Sequence, residues 1–414
     1  MSLCRHFPIP SDRMGIVWSV LPVRDCAVIE YGPAGTTHYG AEVIMDFGIK
    51  IHKNFFCTHV DENDIIMGDT SRLEQAILEV DKTYRPKCIF VIGSSLTSVI
   101  GADIRGLCRL LEGQVESRLI PFEHGGFRGD YSLGIADALE ALVKEIACPP
   151  AKKREGTFNL IGACYDSYRV GSDVEEICRL LKEAFGLEPA CILPYDCSYD
   201  SIRHCTEAEC SIVMRKEGIR AAKAVQEKGG GGWFYGVPYG YQGTEKWIAQ
   251  IAQGIGREPD PAFRKEFGRK LIWAKKKENE LRCSPLPMNA VVEGNEMQVS
   301  GIGKFLKEEL GMKVEGILTH SPKGMEEVPQ WCRFLPEKEK LDVLRGCSNS
   351  LVLGNDETLS QTPETNTKLQ IGFPAKETIV VANHLPFVGL RGADWIMESI
   401  LTYYNKLVIS MMMQ

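Results

Sequence analysis

Long apolar runs are missing from this 414-residue chain. No stretch reaches about 18 consecutive apolar residues, the length that a membrane-crossing helix needs. The first residues, MSLCRHFPIPSD, contain no apolar core of a secretory signal. We therefore expect a cytoplasmic protein that has no membrane partner.

Dense positive charge is missing as well. The formal net charge is −7, and lysine and arginine form no continuous stripe. Nucleic-acid binding requires such a stripe to neutralise phosphates, so we expect no nucleic-acid partner. The glycine run 229–232 is followed by Trp233 and Phe234 rather than by the G-K-[ST] ending of a phosphate-binding loop. We therefore expect no nucleotide site on this chain.

The C-x-x-C motif is also absent, although the chain has fifteen cysteines. In a reducing compartment such cysteines do not form a disulfide framework. A thiol in an apolar run, such as Cys88 in KCIFVIG, is typically a small buried apolar residue. Cys4, Cys26 and Cys57 differ, because they fall at or near predicted loop ends.

Short apolar runs alternate with helical patterns along the whole chain. KCIFVIG precedes the helix-like SVIGADIRGLCRLLE, and SRLIPFE precedes SLGIADALEALVKEIA. This order of strand, loop and helix predicts parallel sheets with crossover helices. The pattern restarts twice, after the linker-like CPPAKKREG and CSPLP. We therefore predict three α/β domains, 1–152, 153–284 and 285–414.

Two local features give finer predictions. In SDVEEICRLLKEAFG, Ser172 is expected to cap a helix that ends at Gly186. The apolar ETIVVAN, residues 377–383, is expected to be a strand of the third domain.

The loops after the predicted strands are where a ligand is expected. In open parallel sheets, ligands lie beyond the carboxyl ends of the strands. We expect four such loops to matter: Gly32–Gly35, Gly93–Ser98, Gly125–Gly129 and Gly354–Glu357.

Segments around these loops resemble one family in the same order. DCAVIEYGPAGTTHYG resembles the strand and H-G-P-x-G-C loop of nitrogenase component 1 proteins, and IFVIGSSLTSVIGADIRGL resembles their strand before C-x-x-x-x-I-G-D-D-I. EHGGFRGDYSLGIADAL resembles their G-F-R-G-x-x-x-S-L-G. Other resembling segments are DENDIIMGDTSRLEQAI, GWFYGVPYGYQGTEKWI and NHLPFVGLRGADWI. The resemblance implies three Rossmann-like α/β domains with parallel sheets around a shared cleft.

The resemblance also implies iron ligands that this chain has replaced. The family holds an interface iron–sulfur cluster with cysteines at the positions of Thr36 and Ser95. Hydroxyl groups are poor ligands for iron that thiolates normally hold. A cofactor at these loops would therefore be surrounded by Gly32, Gly35, Thr36 and Ser95, and none of these residues would ligate its iron.

A substitute ligand set is a second interpretation. Cys4, Cys26 and Cys57 could hold an iron–sulfur cluster together with a partner chain, or they could be ordinary cysteines. The resemblance also admits a metal tetrapyrrole or a metallocluster as cofactor. The family's other cofactor cysteine aligns with Met214, and a histidine near the substrate aligns with Ile135.

Three residues are candidates for catalysis. Arg128 in GGFRGD could bind a carboxylate of a substrate or pair with Asp130. His38 and His124 fall on loops of the same predicted cleft and could donate protons, or they could be plain loop residues.

The resemblance implies three hypotheses for function. In the first, the chain is a subunit of a nitrogenase-like two-component reductase. It would receive electrons from an ATP-dependent iron–sulfur reductase and reduce a tetrapyrrole or a small molecule. In the second, it is a non-catalytic scaffold or carrier for a metallocluster precursor. In the third, it is a degenerate structural partner of a catalytic paralogue. All three imply a homo- or hetero-oligomer with a related component 1 subunit.

Overall fold

The computed structural model describes residues 4–35, 37, 54–123, 125–283, 286–321, 328–375, 380 and 382–412. Within them the chain forms three sheets, and every strand pair is parallel. No helix of these residues is long and apolar enough to cross a membrane. The predicted α/β class is confirmed.

The first sheet has the strand order β2-β1-β3-β4. Its strands are β1 (Cys26–Tyr31), β2 (Phe55–Cys57), β3 (Cys88–Gly93) and β4 (Arg118–Phe122). Its helices are Asp12–Val20, Glu62–Met67, Ser71–Tyr84, Ser95–Val99, Ile104–Leu111 and Tyr131–Ile146. β1 and β3 pair along their whole length and are buried throughout, because helices cover both faces of the sheet.

The second sheet has the order β6-β5-β7-β8. Its strands are β5 (Arg154–Ala163), β6 (Glu188–Pro194), β7 (Ala208–Val213) and β8 (Gly232–Tyr235). The helices around it are Val170–Phe185, Tyr199–Arg203, Ile219–Glu227 and Tyr241–Ile255, and short 3₁₀ turns span Cys205–Glu207 and Lys216–Gly218. The long helix Pro261–Arg282 then leads to the third sheet.

The third sheet has the order β11-β10-β9-β12-β13. Its strands are β9 (Asn289–Gly294), β10 (Lys313–Leu318), β11 (Cys332–Arg333), β12 (Leu351–Gly354) and β13 (Thr367–Gln370). Its helices are Glu296–Lys304, which continues as a π-helix over Phe305–Glu309, then Glu337–Gly346, Asp356–Ser360 and Gly389–Met412.

The sheets share their hydrophobic cores. One core joins residues of the first and second sheets, such as Val28 and Ile161, and the largest joins the second and third, such as Leu160 and Val292. β5 and β3 belong to different sheets, as the three-domain prediction requires. The boundaries near residues 152 and 284 stay predictions.

Two finer predictions come out differently. The helix predicted to begin after Ser172 begins at Val170, and Arg169 is its N-cap residue. The helix cannot extend further back, because Arg169 has left-handed backbone angles. It ends at Gly186 as expected. Most of ETIVVAN lies outside the described residues, and the described Val380, Ala382 and Asn383 form no strand.

Candidate functional site

The carboxyl edge of the first sheet is closed by its own loops. The Ser95 hydroxyl donates to the Gly125 carbonyl at 2.6 Å, and the Ser98 hydroxyl donates to the Glu123 carbonyl at 2.8 Å. A Cβ at Gly125 would lie 2.3 Å from Ser98 Oγ. Gly125 is therefore glycine because two loops meet there, and its backbone faces another loop rather than a ligand.

The other predicted cofactor-lining residues divide into two groups. The Gly32 N–H donates to Thr58 Oγ1 at 3.1 Å, whereas Gly35 is exposed, and a Cβ there would meet no atom within 4 Å. Three predicted site residues lie outside the described part of the chain: Thr36, His38 and His124.

The three candidate iron ligands are spread over the molecule. Cys57 ends β2 at the carboxyl edge, with Sγ 3.3 Å from the Gly32 carbonyl. Cys26 is buried at the opposite end of β1, about 13 Å away along the strand at about 3.3 Å per residue. Cys4 donates its thiol to Glu337 of the third domain at 3.0 Å. The structure does not bring the three together.

Among the described residues, no group of three or more histidine, cysteine, aspartate and glutamate side chains is arranged to hold a metal ion. Cys57 alone of the three predicted thiols lies at the carboxyl edge of the first sheet, so the described residues do not fit a cluster held by this chain's own thiolates.

Arg128 pairs with Asp137 rather than with the Asp130 considered from the sequence. Its Nη1 donates to Asp137 Oδ2 at 3.0 Å, and its side chain is exposed. Asp130 instead accepts the N–H of Ser132 at the start of a helix and the N–H of Ser321 from the third domain. Arg128 is therefore a surface residue that pairs with a carboxylate of the same chain.

Apolar side chains line the same carboxyl edge and point to solvent. Met67 is 79% exposed, Ile66 78% and Phe127 68%, and Val99 and Ile100 are exposed beside them. They follow β2, β3 and β4, and no residue of the helix Glu62–Met67 is buried. We call these five exposed apolar residues, which follow three strands of the first sheet, the apolar edge.

A buried ion cluster lies at the carboxyl edge of the second sheet. Arg215 is 1% exposed, and its Nη1 contacts both oxygens of Asp166 at 2.7 and 2.9 Å. Its Nε and Nη2 donate to the two oxygens of Glu217, each at 3.0 Å. At Gly162, where φ is +96°, a Cβ would lie 2.7 Å from Arg215 Cγ. Glycine there leaves room for the arginine.

The pKa values of the two carboxyl groups in this cluster shift in opposite directions. Burial raises the pKa of Asp166, against the charge of Arg215. Burial also acts on Glu217, but the charge and hydrogen bonds of Arg215 lower its pKa overall. Two nitrogens reach Glu217 and only one reaches Asp166, which explains the stronger stabilisation of the Glu217 anion. No motif in the sequence predicted this cluster. The one sequence signal for the cluster is the charged R-K-E that follows the apolar strand in CSIVMRKEG.

All three domains meet beside this cluster. His320, fully buried, stands edge-on to the Tyr131 ring at 5.6 Å, and the Tyr131 hydroxyl lies 3.0 Å from Thr319 Oγ1. The N–H of Glu296 donates to His320 Nε2 at 3.3 Å. Because these residues come from the first and third domains and Arg215 from the second, the junction links all three sheet edges.

A cavity of about 360 Å³ opens next to the junction, between β8 and the helix Glu296–Lys304. Met214, Glu296, Lys246 and Lys304 are among the residues that line it. Tyr239 also lines the cavity, and its buried hydroxyl has no hydrogen-bond partner among the described residues. The walls therefore combine the ammonium groups of two lysines, the carboxylates of Glu296, Glu308 and Glu309, and a thioether.

This donor set does not fit a tightly ligated metal cofactor. Met214, which the sequence resemblance aligns with a cofactor cysteine, offers a thioether, and a thioether is a weaker ligand than a thiolate. Ile135 is buried in the core. His384, in the segment NHLPFVGLRGADWI that resembles the family, is exposed, and its Nδ1 lies 2.7 Å from the Ala382 carbonyl. Among the residues that the structure describes, no cysteine or histidine lines the cavity.

Comparisons with known proteins agree with this fold. The chain is 25% identical over 395 residues to the nitrogenase iron-molybdenum cofactor biosynthesis protein NifE of Nostoc sp., a match that covers 91% of this chain and 77% of that relative. NifE of Clostridium pasteurianum is 29% identical over 254 residues, covering 59% of this chain and 54% of that protein. The chain thus spans about half the length of the latter.

A solved structure, nitrogenase Cp1 at pH 6.5, superposes with a TM-score of 0.82 at 16% identity, covering 99% of this chain and 94% of that one. This likeness shows the fold. The family described as nitrogenase component 1 type oxidoreductase matches residues 11–405. The chain therefore belongs to the nitrogenase component 1 type oxidoreductase family.

Proposed function

We propose that this chain is a scaffold subunit in the assembly of a metallocluster, and that it pairs with a second component 1-type chain through the apolar edge. The relatives named as cofactor biosynthesis proteins support the assembly role. The spread of Cys4, Cys26 and Cys57 supports a scaffold whose partner supplies most of the thiolates.

The apolar edge is the observation that carries this proposal. Its exposed side chains surround the loops where the family holds its interface cluster, and a chain without a partner gains nothing from exposing them. Removing apolar area from water favours association, and this gain must exceed the entropy that the two chains lose on binding. A partner seated there would also lie next to the Cys57 thiol, the one candidate ligand of this chain at that edge.

A pairing experiment tests the proposal. The chain is co-expressed anaerobically with a component 1-type chain from the same genome, and complex formation is measured by analytical ultracentrifugation. We expect a stable complex that Met67→Asp weakens at least tenfold, because a carboxylate would be buried there. Leu110→Asp is the matched control, since Leu110 is similarly exposed at the far end of a helix of the same domain. A wild-type chain that stays monomeric, or equal effects of the two variants, would contradict the pairing.

Iron analysis tests the scaffold role in the same complex. We expect iron and sulfide to bind only in the presence of the partner, and Cys57→Ser to lower the iron content. Cys26→Ser is the control, because Cys26 is buried at the other end of its strand. Full iron content in Cys57→Ser would remove Cys57 from the ligand set.

The cavity favours a second candidate, a subunit of a two-component reductase. Its volume of about 360 Å³ lies near the lower end of the range for ligand pockets, which favours a small molecule over a tetrapyrrole. An ATP-dependent iron–sulfur reductase would supply the electrons. Substrate-dependent oxidation of the reduced complex, requiring ATP and that reductase, would support this function. Iron binding without any such turnover would leave the scaffold as the better description.

A further inference from the structure

The segment before the first helix crosses from the first domain to the third. At one end the N–H of Tyr131 donates to the Pro10 carbonyl at 2.9 Å, which fixes the segment to the first domain. At the other end, residues 4–7 bind the third domain. We call residues 4–7 the strap.

One carboxylate binds the backbone of the strap. Glu337 accepts the N–H groups of Arg5, His6 and Phe7 at 2.9–3.1 Å, and the thiol of Cys4 at 3.0 Å. The Cys4 thiol and the three N–H groups lower the pKa of Glu337 to about 2. Three consecutive N–H groups on one carboxylate recognise an extended or turning peptide by its backbone.

Two side chains of the strap are also held. Nζ of the buried Lys340 lies 3.5 Å from the centre of the Phe7 ring and donates to Glu293 Oε1 at 2.9 Å. His6 Nδ1 lies 2.7 Å from Glu357 Oε1. The Phe7 ring packs on a small apolar cluster of the third domain. A cation over an aromatic face is worth about 0.5–2 kcal/mol, more where water is excluded.

These contacts lie where the third sheet would take a ligand. Its strand order reverses between β9 and β12, and ligands of open α/β sheets bind beyond the carboxyl ends at such a point. Glu293 is near the end of β9, and Glu357 follows β12. The strap therefore occupies the edge of the crevice.

We propose that Glu337, Lys340 and Glu357 form a peptide-binding site for the strap, and that the strap is detachable and holds the third domain against the first. The other contacts between these two domains include Tyr131 with Thr319 and Asp130 with Ser321, close to the point where the segment leaves the first domain. Detachment of the strap therefore loosens the junction. This inference does not depend on the proposed function.

Native-state proteolysis of the full chain tests detachment. Trypsin can cut after Arg5 only when the strap leaves the third domain, and the cut is followed by mass spectrometry. We expect Glu337→Ala to speed this cleavage roughly tenfold, because it removes the acceptor for three N–H groups. Glu339→Ala is the matched control, since Glu339 is an exposed glutamate of the same first helical turn. Equal rates in the two variants would overturn the proposal.

Two further measurements separate detachment from unfolding. Cleavage after the buried Arg13 should stay slow in every variant, because it requires loss of the first helix. Phe7→Ala, which removes the aromatic anchor and leaves Glu337 intact, should also speed cleavage after Arg5. If it does not, the side-chain part of the site is wrong.

Hydrogen exchange tests the coupling between the domains. The N–H of Ser321 is bonded to Asp130 across the junction. We expect its exchange to be several times faster in Glu337→Ala than in Glu339→Ala. Unchanged exchange at Ser321 despite faster cleavage after Arg5 would show that the strap does not hold the two domains together.

Discussion

The carboxyl edge of the first sheet and the carboxyl edge of the second sheet, where the three domains meet, occupy equivalent positions in their sheets but contain different chemistry. At the first edge, short hydroxyl side chains bond backbone carbonyls, and apolar side chains face outward. At the junction, the fully buried Arg215 pairs with two largely buried carboxylates beside a cavity. The first is an exposed apolar surface, and the second is a charged interior.

The two regions are stabilised by different interactions. Buried charges are tolerated only when each is paired, so the junction depends strongly on single residues. The first edge is held by many neutral hydrogen bonds, each worth about 1 kcal/mol, so no single residue dominates it. Substitutions in the two regions should therefore have very different effects.

The largest effect is expected at Arg215. Arg215→Met keeps the length of the side chain but leaves Asp166 and Glu217 buried without their cation. Breaking a buried pair in this way costs about 3–5 kcal/mol, to be measured as the free energy of unfolding in urea. Arg220→Met is the control, because Arg220 pairs with Asp137 in an exposed position and should cost less than about 1 kcal/mol. Similar losses of stability in both variants would contradict the claim that the buried ion cluster contributes more than an exposed ion pair.

A pH-dependent effect is expected at Asp173. Burial raises its pKa to about 7, although it accepts the N–H groups of Phe387 and Val388. Because the folded pKa is raised, the folded state binds this proton more tightly than the unfolded state. The contribution to stability is therefore present below about pH 4 and is lost as the pH rises through about 7.

Asp173→Asn isolates this contribution, because the amide oxygen can still accept the N–H of Phe387. Between pH 5 and pH 8 the wild type should lose about 2–3 kcal/mol more than the variant, because about two of the three pKa units of the shift fall within that range. Urea unfolding at both pH values measures it. Parallel pH profiles for the two proteins would show that the Asp173 carboxyl is not the group that titrates.

A smaller effect is expected where two loops of the first edge meet. Gly125→Ala would place a Cβ 2.3 Å from Ser98 Oγ and 2.4 Å from the Ser94 carbonyl, so the loops must move apart. Overpacking of this kind costs about 1–3 kcal/mol. Gly35→Ala is the control, since nothing lies within 4 Å of its added Cβ. If Gly125→Ala is as harmless as Gly35→Ala in thermal unfolding, the loops are looser than the structure indicates.

The sequence was informative for several local features. The apolar run KCIFVIG was predicted as a strand and forms one over Cys88–Gly93, and the helix end at Gly186 followed from one glycine. The short strands β2 and β13 were missed, because three or four partly buried residues carry too little pattern.

The candidate site was predictable only in outline. Asp166 and Arg215 are 49 positions apart, so no local pattern announces their pairing. The alternation of strands and helices predicted the carboxyl edges, but it did not predict that Cys26 and Cys57 lie at opposite ends of neighbouring strands. Strand direction and register decide such questions, and they depend on the assembled sheet.

The smallest effect is expected at Ser95, which the sequence resemblance aligns with a cysteine. Ser95→Ala removes one hydrogen bond to the Gly125 carbonyl from a half-buried position. Such a bond contributes about 1 kcal/mol, because the carbonyl loses a partner that water replaces only in part. Ser360→Ala is the matched control, since its hydroxyl also donates to a carbonyl, at 2.8 Å, but in an exposed turn where water can take its place. Urea unfolding should show a loss for Ser95→Ala and almost none for Ser360→Ala. A Ser95→Ala loss of 3 kcal/mol or more, roughly that expected at Arg215, would mean that the first edge also depends on single residues, and the contrast between the two regions would fail.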